Sequence, residues 1–267
     1  MWIDTHCHLD AGEFAGGQGA IADSAAALGV GMIVIPAVAP ANFDVVAELA
    51  GRHANTSYAL GIHPMYVAAC AESDLLDLRA AVPAALADPR FVAIGEIGLD
   101  FFLPELTVSP LREKQEFFYQ EQLKIARDFD LPVLLHVRRS QDAILKYLRR
   151  ITVRGGIAHA FNGSGQQAQA FIGLGFKLGL GGAMTFTRAL QIRRLAVEMP
   201  LEALVLETDA PDIAPAWLHP RRNSPEQLPG IGAVLAQLRG LTVDHIASAT
   251  AANAVVAIPR LAGICRN

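Results

Sequence analysis

Apolar runs of strand length recur along the chain, separated by stretches whose apolar residues return at helical spacing. Eight runs read as strands: WIDTHCH at 2–8, GMIVIPA at 31–37, SYALGIH at 57–63, FVAIGEIG at 91–98, LPVLLHV at 131–137, GIAHAF at 156–161, FKLGLGG at 176–182 and LVLETD at 204–209. Helices are expected at about 19–29, 41–53, 72–87, 110–129, 140–150, 164–174 and 187–198, with two more at about 225–237 and 242–257. Near-continuous apolar strands alternating with helices belong to a parallel sheet buried on both faces. Eight such units predict an α/β protein with a closed, TIM-like (β/α)8 barrel. An open doubly wound sheet is the runner-up. It is disfavoured because no Gly-x-Gly-x-x-Gly follows the first strand. Two long loops stand out, 101–115 and the proline-rich 214–229; in the first, Ser109 reads as a helix N-cap with Pro110 at the first helical position.

Composition sharpens this picture. With 52% hydrophobic and 18% charged residues, residues 1–267 are expected to share one core as a single domain. A net charge of −4 provides no global basic field, which argues against a protein that coats DNA non-specifically. An enzyme that grips a few phosphates locally stays open. Three scattered cysteines (Cys7, Cys70, Cys265) fit a reducing compartment rather than a disulfide framework. The apolar stretch 25–41 is interrupted by Gly29, Gly31, Pro36 and Pro40, too broken to span a bilayer. The first residues lack a basic region and a cleavage-like site. The expectation is a cytoplasmic protein with no membrane association and no obligate protein partner.

The polar residues on the strands carry the chemistry. His6 and His8 share strand parity, so their imidazoles point together while Cys7 points away. Such a pair is half of a metal site. His63 ends the third strand, Glu96 lies late in the fourth, His136 late in the fifth and His159 in the sixth. Asp209 ends the eighth, with Glu207 on the same face. In a parallel barrel these positions share the rim where active sites are built. A single strand-end histidine is most simply a hydrogen-bonded rim residue. So many ionisable groups in one place, where Val, Ile and Leu are normal, would be costly to bury without a cation. Four imidazoles and two carboxylates exceed what one tetrahedral zinc needs. They suit two divalent ions, with zinc, manganese, nickel or magnesium all compatible. None of the four lysines ends a strand, so Glu96 is the natural bridging ligand.

Several segments together resemble the TatD family of metal-dependent hydrolases, a branch of the amidohydrolase-like barrels. They are IDTHCHLD at 3–10, GIHP at 61–64, AIGEIGLDF at 93–101, KQEFFYQEQLKIA at 114–126, PVLLHVRRS at 132–140, HAFNGS at 159–164 and ETDAPDIAP at 207–215. RRNSPEQLP at 221–229 is similar to the family's late loop. The resemblance runs nearly end to end. It implies a metallo-dependent barrel with a two-metal site and phosphodiester hydrolysis, with exonuclease-type DNase activity as the best-known assignment. It further implies that His6, His8, Glu96 and Asp209 hold one ion, and Glu96, His136 and His159 the other. Two departures fall on the rim. Met65 follows Pro64 where the family often has a histidine, and HAFNG stands at 159–163 where it often has HCFSG.

The expected reaction is attack by metal-bound hydroxide, with Glu96 bridging the ions and Asp209 orienting the water or accepting its proton. His63 reads either as a donor to a phosphate oxygen or as a structural histidine in a His-Pro turn. Arg138 shares strand parity with His136 and reads either as a bidentate phosphate clamp or as a solvated arginine. Asp4 and Glu207 are candidates to orient His6 and its neighbours from behind. Arg221 and Arg222 stand on the late loop. The expected substrate is single-stranded nucleic acid, entered from an end. The alternatives are a barrel hydrolase of esters or amides, such as a deacylase of mischarged tRNA or a lactonase, and a scaffold that has lost activity.

Overall fold

The computed structural model describes residues 1–265. Eight parallel strands lie side by side in chain order. They are β1 (Trp2–Asp4), β2 (Val30–Pro36), β3 (Thr56–Leu60), β4 (Phe91–Asp100), β5 (Val133–Arg138), β6 (Gly156–Ala158), β7 (Phe176–Leu180) and β8 (Leu204–Leu206). The edges meet where Thr5 N donates to Leu206 O at 3.1 Å and Asp209 N to His6 O at 2.9 Å, drawing the sheet into a nearly closed barrel.

Helices α1 (Gln18–Ala27), α2 (Phe43–Arg52), α3 (Ser73–Leu86), α4 (Leu111–Asp128), α5 (Gln141–Leu148), α6 (Gly165–Gly173) and α7 (Leu190–Glu198) alternate with the strands. After β8 come α8 (Leu228–Arg239), α9 (Val243–Ala257) and the short α10 (Leu261–Ile264). Strand alternation splits the apolar residues into two layers. Ile33 and Ile35 pack with helix residues such as Leu49, Leu123 and Leu195. Met32 and Val34 join Ile3, Ala59, Leu134, Ile157 and Val205, together with Ala254, Ile258 and Leu261 from α9 and its C-terminal side. This second layer is the apolar filling of the barrel, and it leaves the C-terminal rim for polar side chains. Among the described residues no helix is long and apolar enough to cross a membrane.

Several strands stop earlier than their apolar pattern predicts. β1, β3, β6 and β8 end at Asp4, Leu60, Ala158 and Leu206, so His6, His8, His63, His159 and Asp209 lie just beyond them. Past these ends only isolated backbone bonds continue, such as Cys7 N to Val34 O at 3.1 Å and His159 N to Leu135 O at 3.0 Å, and a side chain takes other main-chain donors. Asp4 Oδ1 accepts the Thr208 N–H at 2.9 Å and the His6 N–H at 3.3 Å. Helix α4 also starts later than expected: Pro110 occupies the N-cap position and makes no side-chain cap, so Ser109 lies outside the helix.

Candidate active site

Glu96, 1% exposed, is the centre of the rim cluster. Its two oxygens face different imidazoles. Oε2 lies 3.0 Å from His6 Nε2 and 3.4 Å from His8 Nε2. Oε1 lies 2.8 Å from both His136 Nδ1 and His159 Nε2, and 3.3 Å from His63 Nε2. Asp209 Oδ1 sits 3.7 Å from His6 Nε2 on the Oε2 side. Cys7 is buried in the apolar layer behind the cluster, turned away as strand parity requires.

This donor set fits divalent cations. Three groupings of ligand atoms converge: His6, His8 and Asp209; His6, Glu96 and His159; His63, Glu96 and His136. No Lys or Arg side chain pairs with Glu96 among the described residues. Burial works to raise the Glu96 carboxyl, but the His63, His159 and His6 imidazoles hold it well below the usual range. Positive charge is thus what the site demands. His6 cannot readily supply it, because burial pushes its pKa down to about 3. The buried His6 Nδ1, His159 Nδ1 and Glu207 Oε2 have no hydrogen-bond partner. Burial also lifts Asp209 to about 6.

The supporting residues fall where strand parity puts them, and one was missed. Asp4, fully buried, ties the end of β1 to Thr208 and reaches His6 through its backbone. Glu207 is fully buried, accepts the Ala160 N–H at 2.5 Å and has Oε1 3.7 Å from His159 Nδ1. It fits because β7 carries glycine beneath it: a Cβ at Gly179 would stand 2.1 Å from Glu207 Oε2. The missed residue is Asp100, whose Oδ2 lies 3.1 Å from His136 Nε2. It lies four residues after Glu96 on the same strand face, so the parity that exposed Asp4 and Glu207 also points to it. Burial opposes its charge, yet hydrogen bonds from His136, Leu103 and Phe102 pull it down to about 2.

His63 lies inside the cluster rather than at its margin, with Nε2 3.0 Å from His136 Nδ1. The Met65 N–H donates to His63 Nδ1 at 3.1 Å. In a neutral ring that places the proton on Nε2. Burial favours the neutral form, lowering His63 to about 4. His63 therefore presents a donor, which a metal ligand would lack. Arg138 is 45% exposed, with Nη1 3.6 Å from Asp100 Oδ2 and its guanidinium over the Phe102 ring. A cleft of about 1220 Å³ opens over the cluster, lined on one side by Phe102, Arg138 and Arg139. Arg221 and Arg222 do not line it.

The barrel and its rim cluster define a metal-dependent hydrolase. The family model described as TatD related DNase matches residues 3–258. The chain belongs to the TatD family. It is 41% identical to the uncharacterized metal-dependent hydrolase YjjV of Escherichia coli K12, over 93% of this chain and 94% of that protein. The crystal structure of YjjV superposes with a TM-score of 0.91 at 40% identity, covering 97% of this chain and 98% of that one. The 3′-5′ ssDNA/RNA exonuclease TatD of Erwinia amylovora is 30% identical over 94% of this chain and 97% of its own length.

Proposed function

We propose that the chain hydrolyses phosphodiester bonds of single-stranded nucleic acid, working from an end with two divalent ions. The observation that carries this reading is the division of imidazoles between the two oxygens of Glu96, which suits a bridging carboxylate. His6, His8, Asp209 and Glu96 would hold one ion; Glu96, His136 and His159 would hold the other. Such ions, when bound, act as Lewis acids and lower the pKa of water.

The chain's own groups do the rest. Water adds to phosphorus, the P–O ester bond breaks, and the leaving oxygen takes a proton. Asp209, 14% exposed at the cleft floor, is placed to orient the water and accept its proton. The His63 Nε2–H donates to a phosphate oxygen, and Arg138 offers a guanidinium fork to the same charge. The exonuclease named among the relatives supports this chemistry, and so do Arg138 and Arg139, two cations on the wall of a cleft otherwise rich in apolar side chains such as Met65, Tyr66 and Ile213. The proposal places residues 1–267 as a single domain in the cytoplasm, a reducing compartment that suits the free thiols of Cys7, Cys70 and Cys265.

The test incubates end-labelled single- and double-stranded DNA and RNA with Mg²⁺, Mn²⁺ or Zn²⁺, alongside a mischarged tRNA and simple esters. Stepwise shortening of single strands is expected. Metal-dependent deacylation without nucleotide release under any metal would transfer the assignment to an ester or amide hydrolase.

A further inference from the structure

The two walls of the cleft carry opposite charge. On one, Phe102 follows β4 and is 42% exposed, and two guanidinium carbons sit over its ring. Arg138 Cζ lies 3.8 Å and Arg139 Cζ 4.7 Å from the ring centroid. The ring's negative face attracts both cations, so it holds two like charges beside each other. Asp100 answers Arg138 only at 3.6 Å, and it already accepts from His136, Phe102 and Leu103. Among the described residues no carboxylate pairs with Arg139. Arg194 of α7 lines the cleft by β7, beside the acidic wall, where its Nε faces Glu198 Oε2 at 3.9 Å.

The facing wall is acidic. Asp10 and Glu13 follow β1, and Asp212 follows β8. In a ring of eight strands β1 stands across from β5, and β8 across from β4. No Lys or Arg from the β1 or β8 segments lines the cleft. Asn42 Nδ2 donates to Asp10 Oδ2 at 2.9 Å, so that carboxylate is fixed in place.

We infer that the cleft is a one-sided phosphate dock. Arg139, spread beside Arg138 on Phe102, holds the backbone phosphate next to the scissile one that Arg138 contacts. Asp10, Glu13 and Asp212 repel a strand that would cross the metal ligands and continue. The inference rests on the phosphodiesterase reading and supplies a physical cause for its preference for ends: a polyanion lies comfortably on only one wall. Phe102 acts by orienting the two guanidiniums, so an aliphatic side chain of similar bulk does not replace it.

Two measurements test this. The first is binding of a fluorescein-labelled tetrathymidylate to the metal-free and metal-loaded protein over a range of salt. Arg139→Gln should weaken binding about tenfold at low salt, as expected for one lost charged contact, and reduce the salt slope by about 0.7. Phe102→Leu should weaken it in the same direction with all charges intact. The second compares linear with circular single-stranded DNA. Wild type should shorten the linear strand and spare the circle. The Glu13→Gln, Asp212→Asn double variant, altered only at exposed positions, should raise circle cutting relative to linear about tenfold or more. Unchanged tetranucleotide binding in Arg139→Gln overturns the dock. Equal cutting of circle and linear strand by wild type, or an unmoved ratio in the double variant, overturns the role of the acidic wall. If no nucleic acid is hydrolysed at all, the activity reading fails, while the binding result still decides the dock.

Discussion

Asp100 Oδ2 and His136 Nε2 lie 3.1 Å apart, and the carboxylate is held ionised, so it fixes a proton on Nε2 and makes Nδ1, the atom facing Glu96, the nitrogen that would offer its lone pair to a bound ion. Second contacts of this kind set the tautomer and basicity of a ligating histidine. Asp100→Asn keeps an oxygen for the Phe102 and Leu103 amides but offers His136 a donor instead of an acceptor. Metal affinity should fall by about 10- to 100-fold. Competition against a chelating dye measures this directly, and an unchanged affinity would refute the tautomer assignment.

Glu96 joins the two halves of the site, so its loss should be felt in both. Glu96→Ala is expected to reduce bound metal by at least one equivalent per chain and to abolish turnover. Asp209→Asn keeps shape without the basic carboxylate. It should retain at least one ion while turnover drops by roughly two to four orders of magnitude. Elemental analysis beside rate measurements at saturating metal separates the two; near-normal rates in either variant would sink the two-ion scheme.

Gly179 makes room for Glu207. A methyl group there would collide with a carboxylate whose Oε1 anchors Ala160, a residue held at φ 44. Gly179→Ala should cost about 1–3 kcal/mol of stability in the metal-free protein, as overpacking generally does. It should also disturb His159, next to Ala160. Thermal melts with and without metal give the first number, and the imidazole resonances of His159 report the second. A melt indistinguishable from wild type would show that Glu207 has somewhere else to go.

Away from the cleft, Glu116 ties α4 to α5. It accepts from Arg112 Nε at 2.6 Å and from the Tyr147 hydroxyl. Burial would raise its carboxyl, but the bonds from Tyr147 and Arg112 win and lower it. Tyr147 is pushed the other way, to about 12, by burial and by Glu116. A lowered carboxylate adds stability that is complete above the unfolded pKa of about 4.3 and fades as pH falls through the folded one. Glu116→Gln should cost about 1 kcal/mol at pH 7, a modest figure because the side chain is 20% exposed. Urea melts should show the gap closing as the pH falls below about 4. A gap equally wide at pH 3 and pH 7 would mean that charge plays no part.

The barrel was legible because its strands are apolar on both faces, a pattern that few other folds produce. The clustered residues were legible because parity and strand order bring His6, His8, Glu96, His136, His159 and Asp209 to one rim. Strand ends were not. The residues after Asp4 and Leu206 keep strand-like composition, but Asp4 and Thr208 divert the backbone hydrogen bonds. Asp100 escaped notice because an acid near an arginine reads as an ordinary surface pair until its burial is known. The stacking of Arg138 and Arg139 on Phe102 joins the loop after β4 to the end of β5, and no local pattern encodes that contact.

The proton on His63 is set by a main-chain amide, that of Met65, whose own side chain is 48% exposed toward the cleft. Every amino acid except proline supplies that amide. Position 65 can therefore drift through selection, or be randomised in a library, while the protonation of its neighbour stays constant. Under the proposed function, the wall that would meet the substrate and the protonation of the group that would donate to it are encoded separately, one by a side chain and one by the backbone. A family built this way can explore new substrates at this position without first rebuilding its chemistry.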